Sequence, residues 1–460
     1  MEIKIPEKFK SIIEKVSAVA VENGYEAYAV GGFVRDLFLN REPKDLDVMV
    51  KSPANNRLDG VNFSKLAAKK YGLSEPVIFE RFGTAKLNID NEEVEFVMPR
   101  KEYYDENSRN PDTTLGTLEQ DALRRDFTVN ALFLRLSDFK VLDLTGRGFE
   151  DLKNKIIRVT DPENADIIFA QDPLRILRAV RQSFQLGFKI EPKTYNAMKS
   201  ASSRISIVAP ERVRDEINKI LVERNPSDAF KMLDDINLLK EILPEVDRLK
   251  GLKQPEKYHE DDVFVHTLKV LDRTPAELVL RISALLHDTG KFSARKEENG
   301  KITFYGHEIE SAKDAEIILK RLKYSKEFAA QTVEVIKNHM NPKRYTPEWS
   351  DTAVRRFARV CGENLDLILE FSKADYGNSA GKNSGAKKIN ELIKRMRSLK
   401  DSGMLNIDKE LLSGAELKKH FNLPDGKWIS DAKSQIVELQ LEDPSITKEE
   451  ALRKLKVSGF

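Results

Sequence analysis

The stretch AVGGFVRDLFLNREPKDLDVMV, residues 29–50, decides the fold of the N-terminal region. Its two glycines, Gly31 and Gly32, stand where an apolar strand over 26–30 passes into a predicted helix. A turn without side chains at a helix N-terminus lets backbone N–H groups approach phosphate oxygens closely. The pattern therefore predicts a phosphate-binding turn, with Arg35 in the first turn of the helix that follows.

The same stretch carries two aspartates one residue apart, Asp45 and Asp47. The apolar residues 48–50 that follow predict a buried strand, where unneutralised carboxylates are costly. Residues i and i+2 of a strand point to the same face, so the carboxylates form a pair that a divalent cation can neutralise. A solvated strand end is the commoner explanation of an isolated Asp-x-Asp. The adjacent glycine turn favours a metal site for nucleoside triphosphate chemistry.

Composition and charge exclude several classes of protein. The 460 residues suffice for about three domains, and 40% apolar with 33% charged residues is typical of a globular chain. A net charge of +2 means that local patches would have to hold any polyanionic partner. The single cysteine, Cys361, excludes an internal disulfide and favours a reducing compartment. No stretch predicts a membrane span or a signal peptide, so we expect a cytoplasmic protein that does not bind membranes.

Periodicity divides the chain into a mixed and a helical part. Alternating apolar runs over 75–98 predict strands of a mixed sheet, and the polar stretch 103–118 predicts a mobile loop. From about residue 151 the pattern is helical to the end. We therefore expect an α+β head followed by an all-α neck, body and tail. Glycine-rich breaks predict domains at 1–146, 147–248, 249–385 and 386–460.

Three further segments extend the opening motifs in a fixed order: LEQDALRRDFTVNALF (118–133), IFAQDPLRILRAVRQSFQLGF (168–188) and APERVRDEINKIL (209–221). With GGFVRD and DLD they resemble the tRNA nucleotidyltransferase and bacterial poly(A) polymerase superfamily, and most closely the bacterial-type CCA-adding enzymes. The resemblance covers roughly the first half of the chain. It implies a nucleotidyltransferase head, and template-independent addition of C and A from CTP and ATP to the 3′ end of tRNA.

The resemblance also implies roles for individual residues of the head. Asp45 and Asp47 would be the catalytic carboxylates that hold Mg²⁺. The residues expected to contact the nucleotide are Gly31, Gly32, Arg35 and Arg125. Asp126 and Asn130, expected one helical turn apart, would organise the site. Glu95 is either a third carboxylate beside the pair or an exposed strand glutamate.

The segment QDPLRILRAVR predicts a base-reading helix. Asp172 and Arg175 are three residues apart and would be neighbours on one helix face, either as an ordinary salt bridge or as a pair that reads bases. Cytosine and adenine both present an amino donor beside a ring-nitrogen acceptor, whereas uracil and guanine present the opposite order. Aspartate and arginine together match the first pattern. Arg178 and Arg181 are also expected to bind the nucleotide, and Gln171 stands where many relatives carry glutamate.

Four of the six histidines form a second pattern with two aspartates. It resembles the HD phosphohydrolase superfamily over about residues 250–376. The resemblance implies one metal bound by His266, His287, Asp288 and Asp375, with His307 and His339 completing a second site. Asp288 would bridge two ions, and Lys291 would contact a phosphate. We expect a divalent transition metal such as Ni²⁺, Mn²⁺ or Co²⁺ and a phosphomonoesterase or phosphodiesterase activity; a relic domain is the alternative.

The tail and the rival functions complete the predictions. A basic helix over 387–400 and the segment 411–431 resemble the part of these enzymes that grips tRNA, although a solvated helical face is an alternative. Rivals within the superfamily add only CC or only A, or are poly(A) polymerases, which generally lack an HD domain. A rival of another class is an HD phosphohydrolase with an RNA-binding head, which the intact Asp45 and Asp47 argue against. The oligomeric state stays open.

Overall fold

A computed structural model describes residues 4–103, 112–254, 261–376, 384–405 and 410–455. The chain forms two compact units. The first comprises Met1–Ile220 with Asp228–Ile242, and the second comprises Leu221–Ser227 with Leu243–Phe460. The finer division into four domains stays a prediction. Among the described residues, no helix combines the length and apolar character that crossing a membrane requires.

The first unit begins with an α+β head. Its strands are β1 (Glu26–Val30), β2 (Leu46–Lys51), β3 (Val77–Phe79), β4 (Thr84–Ile89), β5 (Glu92–Val97), β6 (Arg100–Tyr103), β7 (Asp112–Leu115), β8 (Leu132–Arg135) and β9 (Val141–Asp143). Its helices are α1 (Glu7–Glu22), α2 (Gly32–Phe38), α3 (Asp59–Tyr71), α4 (Leu118–Arg124) and α5 (Gly148–Asn154).

Seven of these strands form one sheet in the order β3-β4-β5-β2-β1-β8-β9. The pair β2–β5 is parallel, and the other neighbours in the sheet are antiparallel, so the sheet is mixed as predicted. One side of the sheet centre packs on a cluster that includes Val30, Met49 and Phe133, all buried. This buried centre makes the strand that follows Asp45 a rigid support for the acid pair.

The predicted loop over 103–118 is only partly a loop. Strand β7 lies within it and pairs with β6 in register from Arg100↔Leu115 to Tyr103↔Asp112. Helix α4 already begins at Leu118, with a capping box between Thr117 and Gln120. The adjacent threonines of β7 are β-branched and favour a strand despite the polar composition. Residues 104–111, the rest of the predicted loop, lie outside the described residues.

Helices follow the head in the next part of the chain: α6 (Ala165–Gln171), α7 (Leu174–Leu186), α8 (Pro192–Ala201), α9 (Pro210–Leu221), α10 (Pro226–Asp235) and α11 (Leu239–Ile242). Strands β10 (Ile156–Ile157) and β11 (Lys189–Ile190) form a small parallel ribbon beside them.

The expectation that Asp172 and Arg175 share one helix is wrong. Helix α6 ends at Gln171, Asp172 has φ −131° and ψ 85°, and α7 begins after Pro173. Proline has no N–H to continue a helix and disfavours the helical conformation of the residue before it. The two residues therefore flank a break between helices, although they remain close in space.

The second unit is mainly helical. Its helices are α12 (Pro244–Asp247), α13 (Val263–Arg273), α14 (Leu278–Leu286), α15 (Lys291–Ala294), α16 (His307–Arg321), α17 (Lys326–Asn338), α18 (Asp351–Cys361), α19 (Leu365–Tyr376), α20 (Ser384–Asp401), α21 (Gly414–Phe421), α22 (Trp428–Glu442) and α23 (Lys448–Lys454). A short hairpin of β12 (Lys296–Glu298) and β13 (Lys301–Thr303) lies between α15 and α16. The predicted fold class, an α+β head followed by a mainly helical remainder, is confirmed, with β10–β11 and this hairpin as local exceptions.

Candidate functional sites

The predicted acid pair lies at the centre of the head sheet. Asp47 on β2 is in register with Val30 on β1 and with Glu95 on β5, and Asp45 immediately precedes β2. Burial, together with the charges of Glu95 and Asp45, raises the pKa of Asp47 to about 6, although Arg125 opposes this shift. Glu95 is half-buried rather than exposed, so it acts on the pair from the neighbouring strand. The three carboxylates interact electrostatically, and carboxylate oxygens are the ligands that a hard divalent cation prefers.

The glycine turn lies beside this acid pair. Gly31 has φ +73° and precedes α2, a backbone conformation that strongly favours glycine. A Cβ at Gly31 would lie 3.4 Å from Arg125 Nη1 and 3.8 Å from Asp47 Oδ2. A Cβ at Gly32 would lie 3.3 Å from Arg35 Nη2. The turn, both predicted triphosphate arginines and Asp47 are therefore brought together.

A polar network connects Arg35 to the helices that follow the head. Arg35 Nη1 donates to Asn130 Oδ1 (2.8 Å) and to Gln182 Oε1 (3.3 Å). Asn130 Nδ2 donates to Asp126 Oδ1 (2.8 Å), whose other oxygen accepts from Arg178 Nη2 (2.6 Å). Burial alone would raise the pKa of Asp126, but Arg178 and the Asn130 hydrogen bond hold it well below its usual range. The network fixes Arg35 relative to helix α7.

The spacing of Asp126 and Asn130 differs from the prediction. Asp126 follows the end of α4, and Asn130 ends a 3₁₀ turn over Thr128–Asn130, so they are not one turn apart on an α-helix. Their side chains are in contact all the same. Sequence reasoning missed Gln182, because a glutamine on a helix carries no signal until its partners are known.

Arg125 is held by a carboxylate that the sequence reading also missed. The Arg125 guanidinium pairs with Asp121 Oδ2 (3.0 Å) and lies 5.1 Å from the centre of the Phe133 ring. Asp121 is fully buried and also accepts from Arg124 Nε (2.7 Å). The i,i+4 spacing between Asp121 on α4 and Arg125, which directly follows this helix, is the signal that could have found it.

The predicted base-reading pair forms a loose contact across the helix break. Arg175 Nε lies 3.7 Å from Asp172 Oδ2, and both side chains are largely buried. Arg175 also donates to the carbonyl oxygens of Arg124 (2.7 Å) and Arg125 (3.3 Å). It therefore supports the backbone of Arg125 as well as facing Asp172.

The other two arginines of α7 are directed at buried carboxylates. Arg178 pairs with Asp126 (2.6 Å) and Arg181 Nε with Glu216 Oε2 (2.6 Å). Glu216 is 3% exposed and lies on α9. The two arginines are ordered by these ion pairs, and their contact with a nucleotide stays a prediction.

The second unit brings all six predicted HD ligands together. They come from α13 (His266), the end of α14 (His287 and Asp288), the start of α16 (His307), the end of α17 (His339) and α19 (Asp375). Potential ligand atoms of His266, His287 and Asp375 lie within 4.8 Å of one another, and so do those of Asp288, His307 and His339.

Asp288 touches both groups of ligands. Its Oδ2 lies 3.1 Å from His287 Nε2, and its Oδ1 lies 3.4 Å from His307 Nε2. A bridging ligand would need such a position, and the bridging role of Asp288 stays a prediction. Because the ligands come from positions as far apart as 266 and 375, only the packing of the helices assembles the centre.

The imidazoles are oriented as metal ligands. Nδ1 of His287, His307 and His339 each lies against a backbone carbonyl oxygen, at 2.9, 2.9 and 2.6 Å. A carbonyl oxygen only accepts, so each Nδ1 donates and Nε2 is the ring atom left to face a cation. Nε2 of His307 and Nε2 of His339 lie 3.3 Å apart, so a cation between them would replace that contact. His287 Nε2 is buried and has no hydrogen-bond partner among the described residues. The donor set therefore fits a bound cation.

Two lysines compensate the carboxylates of this centre. Lys291 Nζ lies 2.8 Å from Asp288 Oδ2, and Lys343 Nζ lies 2.6 Å from Asp375 Oδ2, both off the hydrogen-bonding direction. Burial alone would raise the pKa of each aspartate. His287 and Lys291 hold that of Asp288 well below its usual range, and Lys343 does so for Asp375. Lys343 was missed; only its place four residues after His339 hints at it.

Comparisons with known proteins fit these two sites. Residues 27–158 match the family described as Poly A polymerase head domain. Residues 187–250 match the Probable RNA and SrmB-binding site of polymerase A, and residues 262–376 match the HD domain family.

Among curated proteins, the Multifunctional CCA protein of Herminiimonas arsenicoxydans is 33% identical over 366 residues, covering 77% of this chain and 84% of that protein. The A-adding tRNA nucleotidyltransferase of Deinococcus radiodurans is 32% identical, covering 78% of each chain. Among solved structures, the Bacillus stearothermophilus CCA-adding enzyme in complex with CTP has a TM-score of 0.69 at 20% identity, covering 97% of this chain and 96% of that one. This last similarity concerns the fold.

Proposed function

We propose that this chain, which belongs to the CCA-adding tRNA nucleotidyltransferase family, adds C and A nucleotides from CTP and ATP to the 3′ end of tRNA. The observation that carries the proposal is the position of Asp47 beside the Gly31 turn and Arg125, which joins a metal-binding carboxylate to a triphosphate cradle. The reaction needs no template, because the protein itself selects the base. We expect it in the cytoplasm, where tRNA and nucleoside triphosphates meet.

Asp45 and Asp47 hold the metal in this proposal, with Glu95 as a neighbour that adds negative charge. When bound, Mg²⁺ lowers the pKa of the attacking 3′-hydroxyl and neutralises charge on the departing pyrophosphate. The N–H groups around Gly31 and Gly32 bind phosphate oxygens. Arg35 and Arg125 add positive charge there, and the Asn130 and Asp121 side chains fix their positions.

Base selection falls to Asp172 and Arg175, with Arg178 and Arg181 lining the same face of α7. Asp172 accepts from the amino group of C or A, and Arg175 donates to the adjacent ring nitrogen. Uracil or guanine would place an acceptor against the carboxylate and a donor against the guanidinium. A mispaired edge in a closed pocket costs a few kcal/mol, about enough for hundredfold discrimination.

The second unit is proposed to hydrolyse phosphomonoesters or 2′,3′-cyclic phosphates. Its mixture of imidazole and carboxylate ligands suits a divalent transition metal such as Ni²⁺, Mn²⁺ or Co²⁺ better than Mg²⁺. The carbonyl contacts that fix Nδ1 of His287, His307 and His339 orient the three rings, and this supports a working site over a relic, since an inactive domain has no need to orient them.

Addition of CC alone or A alone is the second candidate, since a relative 32% identical to this chain is named an A-adding enzyme. One experiment separates the candidates: purified protein with tRNA truncated at its 3′ end, supplied with CTP, ATP or both. Complete CCA formation supports the proposal. Extension that stops after CC, or that starts only from a CC end, assigns a partial enzyme. A long A tail assigns a poly(A) polymerase, and no extension leaves an HD phosphohydrolase with an RNA-binding head.

A further inference from the structure

The HD centre contains a charged side chain to which the ligand pattern gives no role. Lys343 lies in a 3₁₀ turn over Pro342–Arg344, just after the helix that ends beside His339. Its ammonium group is 2.6 Å from Asp375 Oδ2. This arrangement parallels that of Lys291, which lies 2.8 Å from Asp288 Oδ2. Each of the two ligand groups therefore has its own lysine on its own aspartate.

The protein holds Lys343 in place from its other side. The ammonium lies 5.5 Å from the centre of the Tyr376 ring, and the Tyr376 hydroxyl donates to the Lys343 carbonyl oxygen (3.2 Å). Lys291 is fixed comparably, by Gln254 Oε1 at 2.7 Å and the Phe304 ring at 5.7 Å. Both ammonium groups are thus ordered before any ligand arrives, which lowers the entropic cost of binding an anion.

The two lysines are more exposed to solvent than the carboxylates that they contact. The side chain of Lys343 keeps 25% of its surface exposed, whereas that of Asp375 keeps 1%. Lys291 and Asp288 show the same order, at 10% and 2%. The carboxylates lie deepest, and the lysines are the positive groups that a ligand entering from solvent meets.

Charge balance indicates what kind of ligand this is. The carboxylates of Asp288 and Asp375 balance the ammonium groups of Lys291 and Lys343, and Glu308 near His307 has Arg344 at 3.7 Å. Each divalent cation bound by the histidines and aspartates adds positive charge to a buried site. This excess positive charge requires an anion as a partner. A phosphoryl group is suitable, because its several oxygens can contact the metal and a lysine at the same time.

We propose that Lys343 is a second phosphoryl-binding residue of the HD centre, acting together with Lys291 on a phosphate monoester or diester. The inference rests on the proposed phosphohydrolase function. When a cation shares Asp375, the Lys343 ammonium is available to a phosphoryl oxygen. Lys343 then strengthens binding of the anion, and it is not needed for binding of the metal.

The test is calorimetric titration of inorganic phosphate into Ni²⁺-loaded full-length protein, alongside a separate titration of Ni²⁺ into metal-free protein. We expect Lys343→Met to raise the Kd for phosphate about tenfold, the loss of one charge-assisted contact. The Kd for Ni²⁺ should not rise. Lys337→Met is the matched control, since Lys337 is an exposed lysine of α17 that pairs with Glu334, and it should change neither constant.

Two results would overturn the inference. Phosphate affinity unchanged in Lys343→Met removes the contact, and joint loss of Ni²⁺ and phosphate affinity reduces Lys343 to a support for Asp375. If Lys343→Met does not fold, Lys343→Gln should lose phosphate affinity while Lys343→Arg keeps it. If the wild-type protein binds Ni²⁺ but neither binds phosphate nor hydrolyses phosphate esters, the proposed function itself is contradicted. If the wild-type protein is active and Lys343→Met leaves the phosphate affinity unchanged, only this inference is contradicted.

Discussion

The two proposed metal-binding centres of this chain differ in how the charge of their carboxylates is balanced. In the head, Asp47 lies among Asp45 and Glu95, and burial with these neighbours raises its pKa to about 6. In the HD centre, Asp288 and Asp375 are buried more deeply, yet their pKa values are well below the usual range. The difference is the counter-charge: lysines and imidazoles contact the HD carboxylates, whereas Arg125 only partly offsets the charge in the head.

This contrast shows how each centre would depend on its metal. The head keeps an uncompensated carboxylate cluster, so a bound cation relieves repulsion as well as serving the chemistry. In the HD centre the lysines already balance the charge of the carboxylates, so we expect a bound cation to be accompanied by an anion. The ligand types agree, with oxygens alone in the head and imidazoles in the HD centre.

Removing one carboxylate of the head should have the greatest effect, which is the loss of nucleotide addition. Asp47→Ala should lower addition of CMP to truncated tRNA by about a thousandfold or more, because the metal stabilises charge that develops during transfer. Asp45→Ala should act alike, and tRNA affinity should stay nearly unchanged. The control is Asp138→Ala, an exposed carboxylate paired with Arg135 in the same head. Addition at a near wild-type rate in either variant would move the metal site elsewhere.

An effect of similar kind but in the other centre is expected from Asp288→Ala. Hydrolysis of 2′,3′-cyclic AMP in the presence of Ni²⁺ should fall at least about a hundredfold, since the ligand shared by both groups is lost. Nucleotide addition should be unaffected. Asp366→Ala, an exposed aspartate of α19, is the control. Loss of CCA addition in a folded Asp288→Ala protein would show that the two centres are coupled.

A smaller effect is expected on base choice. Asp172→Ala should narrow the kcat/KM advantage of CTP and ATP over UTP by about ten- to hundredfold, because the uracil carbonyl no longer faces a carboxylate. Arg175→Ala should narrow it too and also lower addition of all four nucleotides, since Arg175 holds the carbonyl oxygens next to Arg125. The measurement is single-nucleotide addition with each of the four. An unchanged preference in both variants would leave the pair as an ordinary salt bridge.

The smallest expected effect concerns the stability of the metal-free head. An aspartate with a raised folded-state pKa opposes folding increasingly as pH rises from the unfolded value near 4 to the folded value of about 6, and constantly above it. Asp47→Asn should therefore raise the melting temperature without Mg²⁺ by a few degrees at pH 8 and by less at pH 5. Thermal unfolding at both values checks this. A gain of equal size at both would show that Asp47 is not strained by its charge.

The residue types of both centres could be predicted from the amino-acid sequence. The glycine turn, the Asp45–Asp47 pair and the change from strand to helix periodicity are set by residues close in the chain, because backbone conformation depends on near neighbours. The order of the motifs supplied the family resemblance and the HD ligand set. The proline between Asp172 and Arg175 was also visible, and it should have predicted the helix break.

The contacts between residues far apart in the chain could not be predicted, because they depend on how the folded elements pack. Strand register sets Glu95 beside Asp47, and the packing of helix α7 against the head brings Gln182 and Arg178 to Asn130 and Asp126. Lys343 became part of the HD centre in the same way, through its contact with Asp375. Such contacts depend on how whole elements pack rather than on any local pattern. Lysines and glutamines that look like solvated surface residues in the sequence therefore acquire a role only when the core around them forms.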